Sequence, residues 1–505
     1  MEKSNYDYSL QDMNDKKENI HYAVECNHLS KHYGKIEALK DVSLKVPKGC
    51  IYGLIGPDGA GKTTLFRILA TLLLPENGQA MVDHFDTVKQ MKDIRKRVGY
   101  MPGKFSLYQD LSVEENLKFF ATLFGTTIEK GYDGIKDIYQ QIERFKNRRA
   151  GALSGGMKQK LALSCALIHN PSVLFLDEPT TGVDPVSRTE FWDMLSKLQG
   201  RGMTIIASTP YLDEIRRCDT VAFLNHGQIK GVDTPDNILS KFADIFNPAP
   251  PCRNELHDRF SQQNVILVDN LVKTFGTFNA VDHISFHVHR GEIFGFLGAN
   301  GAGKTTAMRI LSGLSQPTEG HATVGGFDVS TEYEQIKKHI GYMSQKFSLY
   351  EDMTVMENIR LFGGIYGMKD RQIKDKAEKL LEEMDFADEA NTVVGSLPLG
   401  RKQKLAFSVS IFHEPEVVFL DEPTGGVDPA TRKQFWSLIY KAAERGITIF
   451  VTTHYMDEAE YCDRISIMVD GKIRALGTPE ELKKENGSKD MGEVFRTLAR
   501  EANRQ

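Results

Sequence analysis

Short runs of apolar residues recur along the chain, each bounded by glycine, proline or polar clusters. Ile51–Ile55, Val173–Leu176 and "TIIAST" (Thr204–Thr209) are such runs, and Ile293–Leu297, Val417–Leu420 and "TIFVTT" (Thr448–Thr453) repeat them further on. Runs this short, without polar alternation, predict strands buried on both faces, as in a mostly parallel sheet covered by helices. A helix is predicted from Lys62 and another from Lys304, each following an apolar strand and a glycine-rich loop. The middle of each half reads as helical, and each half opens with alternating strands separated by turn residues.

The two halves are copies of one another. "HYGKIEALKDVSLKVPKG" begins at His32 and "TFGTFNAVDHISFHVHRG" at Thr274, an offset of 242 residues. The offset becomes 244 at "FLDEPTTGVDP" (Phe175–Pro185) and "FLDEPTGGVDP" (Phe419–Pro429), so the second half gained two residues in its middle. A period this long excludes a solenoid and predicts two homologous domains. We place them at 23–245 and 265–482. A mobile N-terminal tail (1–22), a Pro-rich then polar linker (246–264) and a C-terminal tail (483–505) of loop and short charged helix complete the chain.

With 41% hydrophobic and 26% charged residues, the 505-residue chain has the composition of a globular protein. The net charge of −5 gives no pointer to nucleic acid. The basic stretch "KQMKDIRKR" (Lys89–Arg97) reads as a solvated helix face. Six scattered cysteines without a CxxC pair fit free thiols in a reducing cytosol. His287 and His289 share one strand face, but no third ligand accompanies them, so a polar face is expected there and not a metal site. The polar N-terminus lacks a signal-peptide core, and no stretch reaches the ~18 apolar residues of a membrane helix. Work at a membrane would need a second chain to cross it.

The glycine-rich loops carry the chemistry. "GPDGAGKTT" (Gly56–Thr64) and "GANGAGKTT" (Gly298–Thr306) both fit G-x-x-x-x-G-K-[ST]. Gly56, Gly59 and Gly61, like Gly298, Gly301 and Gly303, let backbone N–H groups curl around phosphate oxygens, with Asp58 and Asn300 inside the loops. The following helix adds its N-terminal dipole. Lys62 and Lys304 would reach the β- and γ-phosphates, Thr63 and Thr305 would ligate Mg²⁺, and Thr64 and Thr306 close the motif. The second buried strand of each half ends in Asp177-Glu178 or Asp421-Glu422. An Asp there can hold the Mg²⁺ shell, and the next Glu can polarise a water for in-line attack.

"LSGGMKQK" (Leu153–Lys160), upstream of "FLDEPTTGVDP", resembles the signature motif of ABC ATPases. The resemblance covers nearly the whole chain, twice. It implies an α/β fold of two P-loop NTPase domains in tandem, each with a mostly parallel core sheet, an antiparallel β subdomain and a helical subdomain. It further implies ATP and Mg²⁺ as ligands, with Tyr33 and Phe275 stacking on adenine. Family positions also include a Gln after the first core, a D-loop Asp (Asp184, Asp428) and a His after the last strand. In that family two domains pair head to tail, and each ATP lies between the P-loop of one and the signature of the other.

The copies are not equal. The second has Gln345 and His454 ("TTHYMDE") at the family's Gln and His positions, where the first has Gly103 and Pro210 ("STPYLDE"). The first keeps the signature Ser154-Gly155-Gly156, where the second has Pro398 and Leu399 in "LPLGRKQK". Pro398 has neither hydroxyl nor N–H, and Leu399 is branched where close backbone approach is needed. Head-to-tail pairing puts every loss into one site. Lys304, Gln345, Asp421, Glu422 and His454 with Ser154-Gly155-Gly156 make a complete site; Lys62, Asp177 and Glu178 are left with a degraded one, expected to bind nucleotide and turn it over slowly.

These motifs, with "FSLY" after the Gln position of both halves, look most like the ATP-binding subunits of multidrug or small-molecule exporters. Such subunits sit on the cytoplasmic face of the membrane and energise separate permeases. Tandem ATPases of sugar importers and ABC-F translation factors are the alternatives. The former differ in signature and strand-end motifs, and the latter have a long charged helical linker in place of this short Pro-rich one.

Overall fold

The computed structural model describes residues 21–34, 36–103, 107–246, 261–344, 349–384, 386–427 and 429–502. The chain divides into two compact units, Met1–Thr180 with Glu190–Lys241 and Thr181–Thr189 with Phe242–Gln505.

In the first unit an antiparallel sheet runs Ile36–Pro47, Tyr22–Tyr33, Asn77–Val82, Phe85–Asp86. The core sheet runs Gln228–Asp233, Thr220–Asn225, Ile51–Ile55, Thr204–Ser208, Val173–Asp177, Val98–Met101, parallel except for its antiparallel edge Gln228–Asp233. The second unit repeats both sheets, its core ordered Ile340–Met343, Val417–Asp421, Thr448–Thr453, Ile293–Gly298, Arg464–Val469, Lys472–Gly477. The mixed α/β architecture expected from the apolar runs is thus present in both units.

The reason lies in those runs. Every residue of Ile51–Ile55, Val173–Asp177 and Thr204–Ser208 is buried, as is every residue of Ile293–Gly298, Val417–Asp421 and Thr448–Thr453. Strands covered on both faces have no use for polar alternation. Phe450 sits among Phe294, Phe296 and Phe419, with ring centroids 5.7, 5.4 and 5.4 Å away. The helical middle of the first unit holds Val113–Leu123, Ile128–Tyr139 and Gly155–Leu167; Val355–Ile365, Asp370–Glu383 and Leu399–Ser410 are their counterparts. Val113–Leu123 starts with a Ser112/Glu115 capping box and Val355–Ile365 with a Thr354/Glu357 box, the same reciprocal satisfaction of first-turn donors.

Two boundaries differ from expectation. The stretch 246–264 was expected to be linker throughout, yet the strand Ser261–Phe275 begins inside it. The residues from 483 were expected to form a tail. The helix expected there is present as Met491–Ala502, after Pro479–Glu485, but it is docked: its Met491, Val494 and Phe495 are buried in the same core as Trp436. Their i, i+3, i+4 spacing gives the helix a narrow apolar stripe that a reading by charge overlooks. In the basic stretch, Arg95 donates to the hydroxyl and carbonyl of Thr71 (2.8 Å each), and Arg97 pairs with Asp83 at 3.3 Å. The rings of His287 and His289 are 5.0 Å apart, and no cluster of three metal-ligating side chains occurs among the described residues. Among those residues no helix is long and apolar enough to cross a membrane.

Candidate active site

Each phosphate loop joins the central core strand to a helix. In the first unit, Gly61 (φ 108°) caps Lys62–Leu69, and a Cβ there would lie 2.4 Å from the Ala38 carbonyl oxygen. In the second, Gly303 (φ 106°) caps Lys304–Leu311, with the Ala280 oxygen 2.1 Å from such a Cβ. Only glycine fits either place. Gly56 and Gly298 are buried at the strand ends, whereas Gly59, Gly301 and Asn300 face outward and Asp58 is half-buried.

The loop lysines are buried. Lys62 Nζ donates to the Gly56 and Pro57 carbonyls at 2.8 and 3.1 Å, and Lys304 Nζ to those of Gly298 and Ala299 at the same distances. Each also stands 3.7 Å from the strand-end glutamate of its own copy, Glu178 or Glu422. Burial pushes the Lys304 ammonium below the usual lysine value, against the pull of Glu422 and Asp421. Burial likewise raises the Asp421 carboxyl, opposed by its bond from Thr452.

The loop threonines meet the strand-end aspartates. Thr63 Oγ1 donates to Asp177 Oδ2 at 2.7 Å, and Thr305 Oγ1 to Asp421 Oδ1 at 3.4 Å. Thr64 and Thr306 lie one residue further along each helix and are half-buried. A second hydroxyl, absent from the sequence reading, fixes each aspartate from the neighbouring strand. Ser208 Oγ donates to Asp177 Oδ1 at 2.8 Å and Thr452 Oγ1 to Asp421 Oδ1 at 2.6 Å. The same oxygens accept from the N–H groups of Glu178 (2.9 Å) and Glu422 (3.1 Å). The signal was present in sequence, since Thr204–Ser208 and Thr448–Thr453 both end in hydroxyl residues, but the register that pairs Asp177 with Ser208 and Asp421 with Thr452 is a property of the sheet. Glu178 and Glu422 both adopt φ 48°, a left-handed conformation uncommon outside glycine.

The copies part beyond the glutamates. His454 is fully buried with Nδ1 3.1 Å from Glu422 Oε1, inside ion-pair distance but off the hydrogen-bond direction. The first unit has the buried, ring-closed Pro210 at that position. A cavity of about 190 Å³ opens beside the pair, lined by Met343, Ser344, Leu399, Gln403, Glu422 and His454 among others. Gln345 and Asp428 lie outside the described residues.

The signature helices start differently. Ser154 caps Gly155–Leu167, its hydroxyl accepting from the Met157 N–H at 3.4 Å; Ser154 and Gly155 are exposed and Gly156 is half-buried. Pro398 precedes Leu399–Ser410 with no side-chain cap, and Leu399 is 36% exposed. Tyr33 and Phe275 stand at the ends of antiparallel strands, 45% and 57% exposed, with the Lys273 ammonium 5.3 Å over the Phe275 ring. In "FSLY", Leu107 and Leu349 are buried while Tyr108 and Tyr350 are exposed, Tyr108 packing edge-on to Phe119 with centroids 4.9 Å apart.

Residues 39–181 and 281–425 match the family model of the ABC transporter. The chain is 39% identical to "Probable multidrug ABC transporter ATP-binding protein YbhF" of Escherichia coli (strain K12), over 92% of this chain and 95% of that protein. It is 38% identical to "Daunorubicin resistance ATP-binding protein DrrA3" of Streptomyces coeruleorubidus, over 46% of this chain and 73% of that one. Among solved structures, "RNase-L Inhibitor" shares the fold at 20% identity and a TM-score of 0.65, over 92% of this chain and 93% of that one. The chain therefore belongs to the ABC transporter family, as an ATP-binding and ATP-hydrolysing transporter subunit with two ATPase domains.

Proposed function

We propose that this ATPase energises an exporter of drugs or small molecules through separate membrane permease subunits, from the cytoplasmic face of the membrane. We further propose that one of its two ATP sites is competent and the other degenerate. The observation that carries the asymmetry is the contact of His454 with Glu422, at 3.1 Å, set against Pro210 in the other copy.

In this reading the phosphate loop of the second domain is completed by the signature Ser154-Gly155-Gly156 of the first, as the family resemblance implies. Lys304 and the loop N–H groups hold the triphosphate, and the exposed ring of Phe275 stacks on the base. The hydroxyl of Thr305 and the carboxylate of Asp421 suit a hard divalent cation; the same holds for Thr63 and Asp177. Bound Mg²⁺ would neutralise charge on the phosphates. Glu422 accepts a proton from the attacking water, and His454 holds the glutamate and faces the γ-phosphate. Gln345 would complete this set. Glu178 survives in the first domain without a histidine, so that site binds nucleotide and turns it over slowly.

The names of the two relatives, one a multidrug transporter protein and one a drug-resistance protein, support export. The exposed Tyr108 and Tyr350 offer aromatic surface of the kind a permease loop can cover. Affinity purification of the chain from detergent-solubilised membranes tests this reading. Co-purification of a hydrophobic multi-span subunit is the expected result, and recovery with ribosomes alone would refute it.

A further inference from the structure

Four residues after His454, and after its counterpart Pro210, lies a buried glutamate to which the nucleotide chemistry assigns no part. Glu458 is fully buried. Its Oε1 accepts from Thr424 Oγ1, and its Oε2 accepts from Thr453 Oγ1 at 2.7 Å. Thr424 is two residues beyond Glu422, and Thr453 immediately precedes His454. One carboxylate thus ties the turn carrying the general base to the turn carrying the histidine. Thr453 Oγ1 also accepts from the Tyr455 N–H at 2.9 Å, which closes the histidine turn on the same clamp. Arg432 balances the charge. Its Nε lies 3.6 Å from Glu458 Oε1, its Nη1 2.9 Å from Asp457, and its guanidinium 4.6 Å over the Tyr455 ring.

The first domain carries the same device. Thr180 donates to Glu214 Oε1 at 2.6 Å, Thr209 donates to Oε2, and the Tyr211 N–H bonds Thr209 Oγ1 at 3.1 Å. There it holds the Pro210 turn against the turn of Glu178. A buried carboxylate costs several kcal/mol of desolvation unless it is satisfied, so a mere space-filler in this place would be apolar.

We propose that Glu458, acting through Thr424 and Thr453, is a positioning residue that fixes the distance between Glu422 and His454. The inference rests on the reading that the second-domain set is the working one. A slack clamp lets the two side chains drift apart while the phosphate loop that binds ATP is untouched. Displacements of about 1 Å cost about a hundredfold in rate.

The test is steady-state ATP turnover of the full chain. Glu458→Gln keeps the volume and removes one acceptor; kcat is expected to fall about ten- to a hundredfold with KM within about threefold of wild type. Should that variant not fold, Thr453→Ser and Thr453→Val decide the matter at constant or near-constant volume. The serine keeps the hydroxyl and is expected to keep most of kcat, whereas the valine is expected to lose it. Equal activity of the serine and valine variants, or a Glu458→Gln effect confined to KM, overturns the proposal. Glu422→Gln is run alongside. If it retains turnover, the site assignment has failed, and the clamp is judged at Glu214→Gln and Thr209→Val; unchanged kcat in both would then overturn the clamp as well.

Discussion

His454 Nδ1 stands 3.1 Å from Glu422 Oε1 at a buried strand end, and both lie within a residue or two of a hydroxyl held by Glu458. Glu178, in the other copy, faces its own loop lysine at the same 3.7 Å as Glu422 does, and the residue at the histidine position there is Pro210. The loop lysines, threonines and strand-end acids are the same in both copies; the histidine position and the start of the signature helix are not.

Exchange of each glutamate for glutamine separates the two copies. Glu422→Gln is expected to lower steady-state ATP turnover about 10²- to 10⁴-fold, the contribution typical of a positioned general base. Glu178→Gln is expected to cost much less. A phosphate-release assay on both variants reads the result, and a larger loss from Glu178→Gln would reverse the assignment.

His454→Ala removes a group aimed at transition-state charge. The expected loss is about 10²- to 10³-fold in kcat with little change in nucleotide affinity. Single-turnover kinetics together with fluorescent-nucleotide binding distinguish this from a binding defect, which would appear as weaker affinity at unchanged chemistry.

The C-terminal helix belongs to the core of the second domain. Phe495→Ala is expected to destabilise that domain by about 3–5 kcal/mol, the usual cost of truncating a buried aromatic. Chemical denaturation should show an earlier transition in the variant, whereas an unchanged midpoint would mean that the helix is not packed in solution.

His413 sets an acid limit on stability. Burial pushes its imidazole down to about 4, with Nε2 at 3.2 Å from the Ile340 carbonyl and Tyr366 stacked 3.6 Å away. The unfolded chain titrates near 6.5 and binds the proton first. Stability from this group is therefore fully present above pH 6.5 and lost as pH falls from 6.5 towards 4. Burial lowers the equivalent His169 in the same direction. Denaturation midpoints measured across that window should slope less in His413→Gln than in the wild type.

The phosphate loops, the strand-end acids and the capped signature helix were legible in the sequence because each is a contiguous run whose local geometry is set by its own residues. Gly61 and Gly303 mark their turns without reference to anything distant. The hydroxyls of Ser208 and Thr452 were not legible, since only strand register aligns them with Asp177 and Asp421. The clamp escaped for the same reason: Thr424 lies 34 residues before Glu458, and only the sheet brings the two together. The docking of Met491–Ala502 was missed because Met491, Val494, Phe495 and Leu498, spaced among charged residues, look like chance until a partner core is known.

The backbone twist at Glu178 matches that at Glu422. A left-handed glutamate is strained, and strain of this sort persists only where the surroundings hold it in place. The first copy still carries it, along with the Glu214 clamp and the Ser208 anchor. The two copies thus differ in side chains carried on scaffolding of one shape, and Pro210→His would set an imidazole next to a glutamate whose backbone already has the bend that Glu422 has.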